Sequence, residues 1–176
     1  MKTFHRAFHL MTLLLTAAPI AAAQEANTSR TAKACATAEH RQFDFWIGDW
    51  EVLTPEGNLA GHNLIEGILG GCAVSESWTG SRGGVGRSYN AYDRAHRKWH
   101  QTWVDNSGSV IQLDGEFAGG KMVLVGEGRD STGGKVLNRI TWQETAPGAV
   151  RQLWEQSADG GKTWTTSFDG RYKKRG

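Results

Sequence analysis

From residue 49 onward the chain alternates apolar and polar positions in short runs, and almost no stretch repeats every 3.6 residues. In 121–127, Met122 and Leu124 share one face with Gly126. In 109–117, Ile111, Leu113 and Phe117 oppose Gln112, Asp114 and Glu116. In 164–172, Trp164, Thr166, Phe168 and Tyr172 oppose Thr165, Ser167, Asp169 and Arg171. A period of two with β-branched and aromatic residues predicts strands with one buried and one wetted face. The runs are separated at Pro55-Glu56-Gly57-Asn58, Gly70-Gly71, Gly83-Gly84, Arg94-Ala95-His96, Asn106-Ser107-Gly108, Gly119-Gly120, Gly133-Gly134, Pro147-Gly148 and Gly160-Gly161. Nine breaks leave ten segments, most of about 9–12 residues, and that even spacing predicts an antiparallel meander.

Ten strands in an open sheet would expose two unpaired edges, and closure into a barrel removes both. The expected fold is therefore all-β, a single antiparallel meander barrel of about ten strands. Eight strands already leave room for one small ligand, so a ten-strand barrel is expected to be hollow.

The start of the chain has a different character. Lys2 and Arg6 precede an apolar run from Leu10 to Ala18, which ends at Ala21-Ala22-Ala23. This pattern predicts a secretory signal peptide over residues 1–23, too short for a membrane span. Residues 24–38 read as a flexible leader and 39–176 as the barrel domain. Export to the periplasm or the outside follows as an expectation. Without Lys2 and Arg6 the mature chain carries 18 basic and 18 acidic residues, so its net charge is zero. No basic patch stands out beyond Lys173-Lys174-Arg175, and nucleic acid is not an expected partner. No other apolar stretch is long enough to span a membrane, and nothing in the sequence marks an oligomeric state. Export permits a disulfide, and Cys35 and Cys72 allow only one pairing. A lone nucleophilic cysteine is the alternative, although neither has a His or Lys beside it.

The barrel opens with Phe43-Asp44-Phe45-Trp46-Ile47-Gly48-Asp49-Trp50. Gly48-Asp49-Trp50 resembles the G-x-W motif of lipocalins and other calycin-like barrels. The longer string resembles that of an uncharacterised bacterial family of exported lipocalin-like proteins, and would cover residues 39–174. The resemblance implies a lipocalin- or fatty-acid-binding-like barrel with a 3₁₀ plug at its base, and Trp50 starting the first strand. It also implies that an arginine of the last strand, here Arg171, packs across Trp50. It carries no assigned activity. Nitrobindin-like barrels hold haem through a late histidine; this chain has none after His100, and no cofactor is expected.

Candidate chemistry is sparse. Ser157-x-Asp159-x-Gly161-x-Thr163-Trp164 fits the Asp-box pattern, a hairpin whose Asp and Ser side chains bond the turn's backbone. His96 and His100 sit four apart, which on a strand is roughly 13 Å, so no metal site is expected. Glu76 and Asp105 lie within aromatic strands. A buried Glu76 would need a partner, and Arg87, Arg139 and Arg151 are the strand-embedded arginines that could supply one. The expected ligand-binding residues are Glu76, Trp78, Tyr89, Gln101, Trp103, Arg139, Gln152 and Trp154. Three functions remain open: binding of a small apolar or amphipathic molecule, hydrolysis or isomerisation by a carboxylate–Arg pair, and an envelope interaction module.

Overall fold

A computed structural model describes residues 34–175. Ten antiparallel strands follow one another around a closed barrel: β1 (Gly48–Leu53), β2 (Leu59–Ile68), β3 (Ala73–Gly80), β4 (Val85–Asp93), β5 (Lys98–Asp105), β6 (Val110–Ala118), β7 (Lys121–Arg129), β8 (Lys135–Ala146), β9 (Ala149–Ser157) and β10 (Thr165–Lys174). Every connection falls at one of the nine predicted breaks. The break without glycine turns through Arg97, at φ 55°.

Closure is made by β1 and β10, which pair from Trp50↔Lys174 to Leu53↔Arg171. Inward positions alternate with outward ones along most of the wall, and register shifts interrupt the pairing at Val52/Leu53, at Glu144/Ala146 and in β10. A bulge between Thr166 and Phe168 shifts the phase in β10, so Thr166 pairs with the outward Glu155 while Phe168 pairs with the inward Trp154. A bulge inserts one residue and reverses the parity beyond it, which strict alternation could not show. The outer wall carries ion pairs: Arg139 with Glu155 (2.9 Å), Arg151 with Asp169 (2.8 Å) and Lys98 with Asp114 (2.9 Å). No helix among the described residues is long and apolar enough to cross a membrane.

One end of the barrel is filled from within by two 3₁₀ turns, Glu39–Arg41 and Asp44–Trp46. Phe43 stacks on Trp46 at 4.8 Å and meets Trp99 and Trp142 edge-on at 5.5 and 5.2 Å. Trp46 in turn packs against Trp142 at 5.3 Å. Two hydrogen bonds fix this plug to the wall: Trp50 Nε1 donates to the Trp46 carbonyl (2.8 Å) and Trp99 Nε1 to Gln42 Oε1 (3.1 Å). Trp50 is fully buried, but Arg171 does not cover it. Arg171 occupies an outward position of β10, and Lys174 lies over the Trp50 ring instead, 5.5 Å from its centroid. Lys174 is directly opposite Trp50 in the register, whereas Arg171, three residues earlier, has the other parity.

Cys35 and Cys72 form a disulfide, with Cα atoms 5.0 Å apart. Residues 34–38, expected to belong to the leader, are held by it, and Thr37 Oγ1 bonds His40 Nδ1 at 2.8 Å. The expected signal peptide and the rest of the leader lie outside the described residues. The Asp-box hairpin closes β9 onto β10: Asp159 accepts from the amides of Lys162 (3.0 Å) and Thr163 (2.9 Å) and from the Ser157 hydroxyl (2.7 Å). The Thr163 bonds above all hold its carboxyl at about 2.

The disulfide spans 37 positions, so replacing Cys35 and Cys72 by serine is expected to lower stability by about 4 kcal/mol in the chain-entropy account. Chemical denaturation of the oxidised protein against the double variant measures it.

Candidate ligand cavity

Above the plug the barrel is open inside. The space, about 200 Å³, is bordered by Glu76, Trp78, Gln101, Trp103, Ile111, Ile140, Gln152, Trp154, Ser167, Phe168 and Tyr172. It has two layers. Trp78, Trp103, Trp154 and Phe168 form an aromatic mouth, completed by Ile111 and Ile140. Glu76, Gln101, Gln152 and Tyr172 form a polar floor where the cavity meets the plugged half.

Three glycines keep the mouth wide. Gly61, Gly86 and Gly170 occupy inward positions, and each carries an aromatic ring across its bare Cα. A methyl at Gly61 would lie 2.7 Å from the Trp78 ring and one at Gly170 would lie 2.6 Å from Phe168; one at Gly86 would collide with Trp103. The rings therefore lie back against the wall instead of reaching into the centre. Trp78 and Phe168 meet edge-on at 5.9 Å, and Trp154 Nε1 donates to Asn138 Oδ1 (2.9 Å).

The floor is a connected hydrogen-bond network. Asn63 Nδ2 donates to Glu76 Oε1 (2.7 Å) and to the Tyr172 hydroxyl (3.1 Å), and Tyr172 donates to Gln152 Oε1. Ser88 Oγ donates to Glu76 Oε2 (2.7 Å) and accepts from Asn90 Nδ2 (3.0 Å). Gln101 Nε2 donates to Asn90 Oδ1 (2.8 Å). Burial pushes the Glu76 carboxyl above its ordinary 4.5, against the pull of the Asn63 and Ser88 bonds. Burial and the neighbouring Glu76 also push the Tyr172 phenol well above its usual range.

Six of the eight expected binding residues border this cavity: Glu76, Trp78, Gln101, Trp103, Gln152 and Trp154. Two do not. Tyr89 points outward from β4 and is 65 % exposed. Arg139 points outward from β8, where it pairs with Glu155 and stacks over Trp164 at 3.9 Å. Its register neighbours settle the point: Arg139 pairs with Glu155, whereas the inward positions of the same strands are Ile140 and Trp154. Arg151 is likewise taken by Asp169 outside, and Arg87 bonds backbone carbonyls at the Trp78 and Gly86 positions. No arginine among the described residues meets Glu76, contrary to the expected pairing; its partners are Asn63 and Ser88. Asp105 serves the turn that follows it. Burial raises its pKa, but bonds from Ser107, Trp103 and Ser109 outweigh that and hold it low. His96 bonds Asp93 and His100 bonds Asp114, both on the outer side.

Five bordering residues were missing from the expected set: Ile111, Ile140, Ser167, Phe168 and Tyr172. Ile111, Phe168 and Tyr172 were already on the buried face of the pattern, and a hollow barrel makes that face its cavity wall. Ser167 is reached only through the bulge. No protein-family model matches the chain, and no curated protein matches it, so the cavity's own chemistry carries the functional argument.

The Glu76 shift has a sign that can be tested. A carboxyl whose folded pKa is raised favours the folded state below its unfolded value and loses that contribution as pH rises through the folded value. Relative to Glu76→Gln, the wild type is expected to lose stability as pH rises from the ordinary carboxylate value toward the raised one. Urea unfolding of both proteins across that window reads the difference, and parallel curves would contradict it.

Proposed function

We propose that the protein binds a small apolar or amphipathic molecule inside the barrel. The supporting observation is the two-layered cavity: an aromatic mouth suited to an apolar body above a floor of buried, hydrogen-bonded polar groups. Sites of this kind are concave, mostly apolar and carry a few placed polar groups that orient the ligand. The volume sets the scale, since an engineered cavity of about 150 Å³ takes up benzene. A molecule of one ring with a short substituent fits; a long fatty acyl chain does not.

The likeness of the opening motif to exported lipocalin-like barrels agrees with this reading, as does the signal pattern of residues 1–23, and we place the protein outside the cytoplasm on that basis. The hydrolase or isomerase alternative asked for an arginine beside Glu76, and none among the described residues enters the cavity. The interaction-module alternative rests on exposed outer-wall apolar residues, among them Leu64, Val85, Tyr89, Val104, Val110 and Val125, which ion pairs interrupt.

Gly86→Ala tests the site with the least change. The added methyl displaces Trp103, so binding of a one-ring probe such as 2-phenylethanol, followed by tryptophan fluorescence, is expected to weaken by about tenfold or more, the equivalent of 1.4 kcal/mol. Native mass spectrometry of the purified wild type is expected to show a small bound molecule or to show added 2-phenylethanol retained. A wild type that retains neither would end the proposal.

A further inference from the structure

The cavity floor holds a carboxyl group that no cation among the described residues answers. Glu76 is 4 % exposed yet borders the cavity. It faces Asn63 on β2, Ser88 on β4 and Tyr172 on β10, with Gln101 of β5 and Gln152 of β9 completing the floor. Tyr172 is the other titratable group there, and its phenol stays neutral because burial and Glu76 both oppose its ionisation. No Lys, Arg or His side chain among the described residues joins this network.

The hydrogens of the network run toward Glu76. Ser88 Oγ accepts from Asn90 Nδ2 (3.0 Å) and Gln101 Nε2 (3.4 Å), so its own hydrogen goes to Glu76. Asn63 spends both amide hydrogens, on Glu76 and Tyr172, while its buried Oδ1 receives none among the described residues. Both hydrogen bonds of Gln101 use Nε2, so its Oε1 is a further acceptor at the cavity. The β2–β5 side of the floor is therefore rich in acceptors, and the unused donor of the floor, Gln152 Nε2, lies across from it on β9. A desolvated carboxyl among surplus acceptors is satisfied by a ligand that brings donors and positive charge. Directly above, Trp78, Trp103, Trp154 and Phe168 offer ring faces, which attract cations.

Resting on the cavity-binding reading above, we infer that the ligand is a compact organic ammonium compound, with its charged head at Glu76 and its apolar body among the tryptophans. One aromatic ring on a short aminoalkyl chain matches the volume. On binding, Glu76 gives its proton to solvent while the ammonium keeps its own, so the filled cavity stays neutral overall. Affinity therefore climbs as pH rises through the Glu76 pKa. It falls again only where the amine itself deprotonates, near the lysine value of about 10.4.

Calorimetric titration of the wild type with phenethylamine, 2-phenylethanol and phenylacetate separates the possibilities, since the three share one body and differ in charge. Phenethylamine is expected to bind at least about tenfold more tightly than the alcohol, with phenylacetate weakest, as a desolvated charge pair plus cation–π contact requires. Its affinity is expected to rise as pH climbs above the ordinary carboxylate value toward the raised Glu76 value, with proton release to buffer. Glu76→Gln is expected to remove the preference for the amine over the alcohol. Should that variant fail to fold, the pH slope and proton release of the wild type decide alone. Alcohol binding with no preference for the amine, or tightest binding by phenylacetate, overturns the ammonium inference and leaves the cavity reading standing. No binding by any of the three overturns the ammonium inference, and overturns the cavity reading with it where native mass spectrometry also finds no bound molecule.

Discussion

The shortest ladder of the barrel joins the strands that lie farthest apart in the chain. β1 and β10 share four register pairs, and bringing them together closes the longest loop in the fold, which is the costliest contact in chain entropy. The seam holds because it is packed as well as hydrogen-bonded. Val52 and Tyr172 meet across it on the inner face, both essentially buried, with Trp50 beside them at 5.9 Å from Tyr172. The Arg175 amide extends the seam by bonding the Asp49 carbonyl at 2.9 Å. Without this join the inner face would be the exposed side of a curved sheet. The plug would have no socket and Glu76 would be solvated.

Given closure, the two ends of the interior are treated differently. In the lower half, large rings interlock: Phe43, Trp46, Trp99 and Trp142 leave no space for a guest. In the upper half, the same residue types stand back over Gly61, Gly86 and Gly170. Between them runs a belt of Asn, Gln, Ser, Glu and Tyr side chains. Burying such groups is costly unless each finds a partner, and here most of them do. A belt of this kind specifies position, because its bonds form only in one register of β2, β3, β4, β5, β9 and β10.

Much of this was legible in the residues. The breaks, eight of the nine bearing glycine, located every turn, and the alternation in 109–117 and 121–127 gave the correct inner faces for β6 and β7. The aromatic and amide residues near the site, from Trp78 to Trp154, were found because they sit mid-strand on the apolar phase. Where reading failed, the causes are physical. Arg139 and Tyr89 lie one residue out of phase with the inward positions, and no composition rule distinguishes a charged residue bridging outer strands from one entering a cavity. Arg171 lost its place over Trp50 to Lys174 through the register of the seam, which depends on how two distant strands align. The bulge at Ser167 changed parity without any glycine or proline to announce it. Among the described residues no cation reaches Glu76, because Arg139 and Arg151 are taken by Glu155 and Asp169 on the outer wall, a matter of strand phase that residue type alone does not show.

The plug makes the interior a blind tube. A guest that enters past Trp78 and Trp103 has no rear exit, because Phe43 and Trp46 are wedged behind the floor and anchored to the wall. Departure must retrace arrival, so residence time is governed by how readily the turns around the mouth, Ser81–Gly84 and Asn106–Ser109 among them, yield. A competitor cannot push an occupant out from behind and must wait for the doorway to clear.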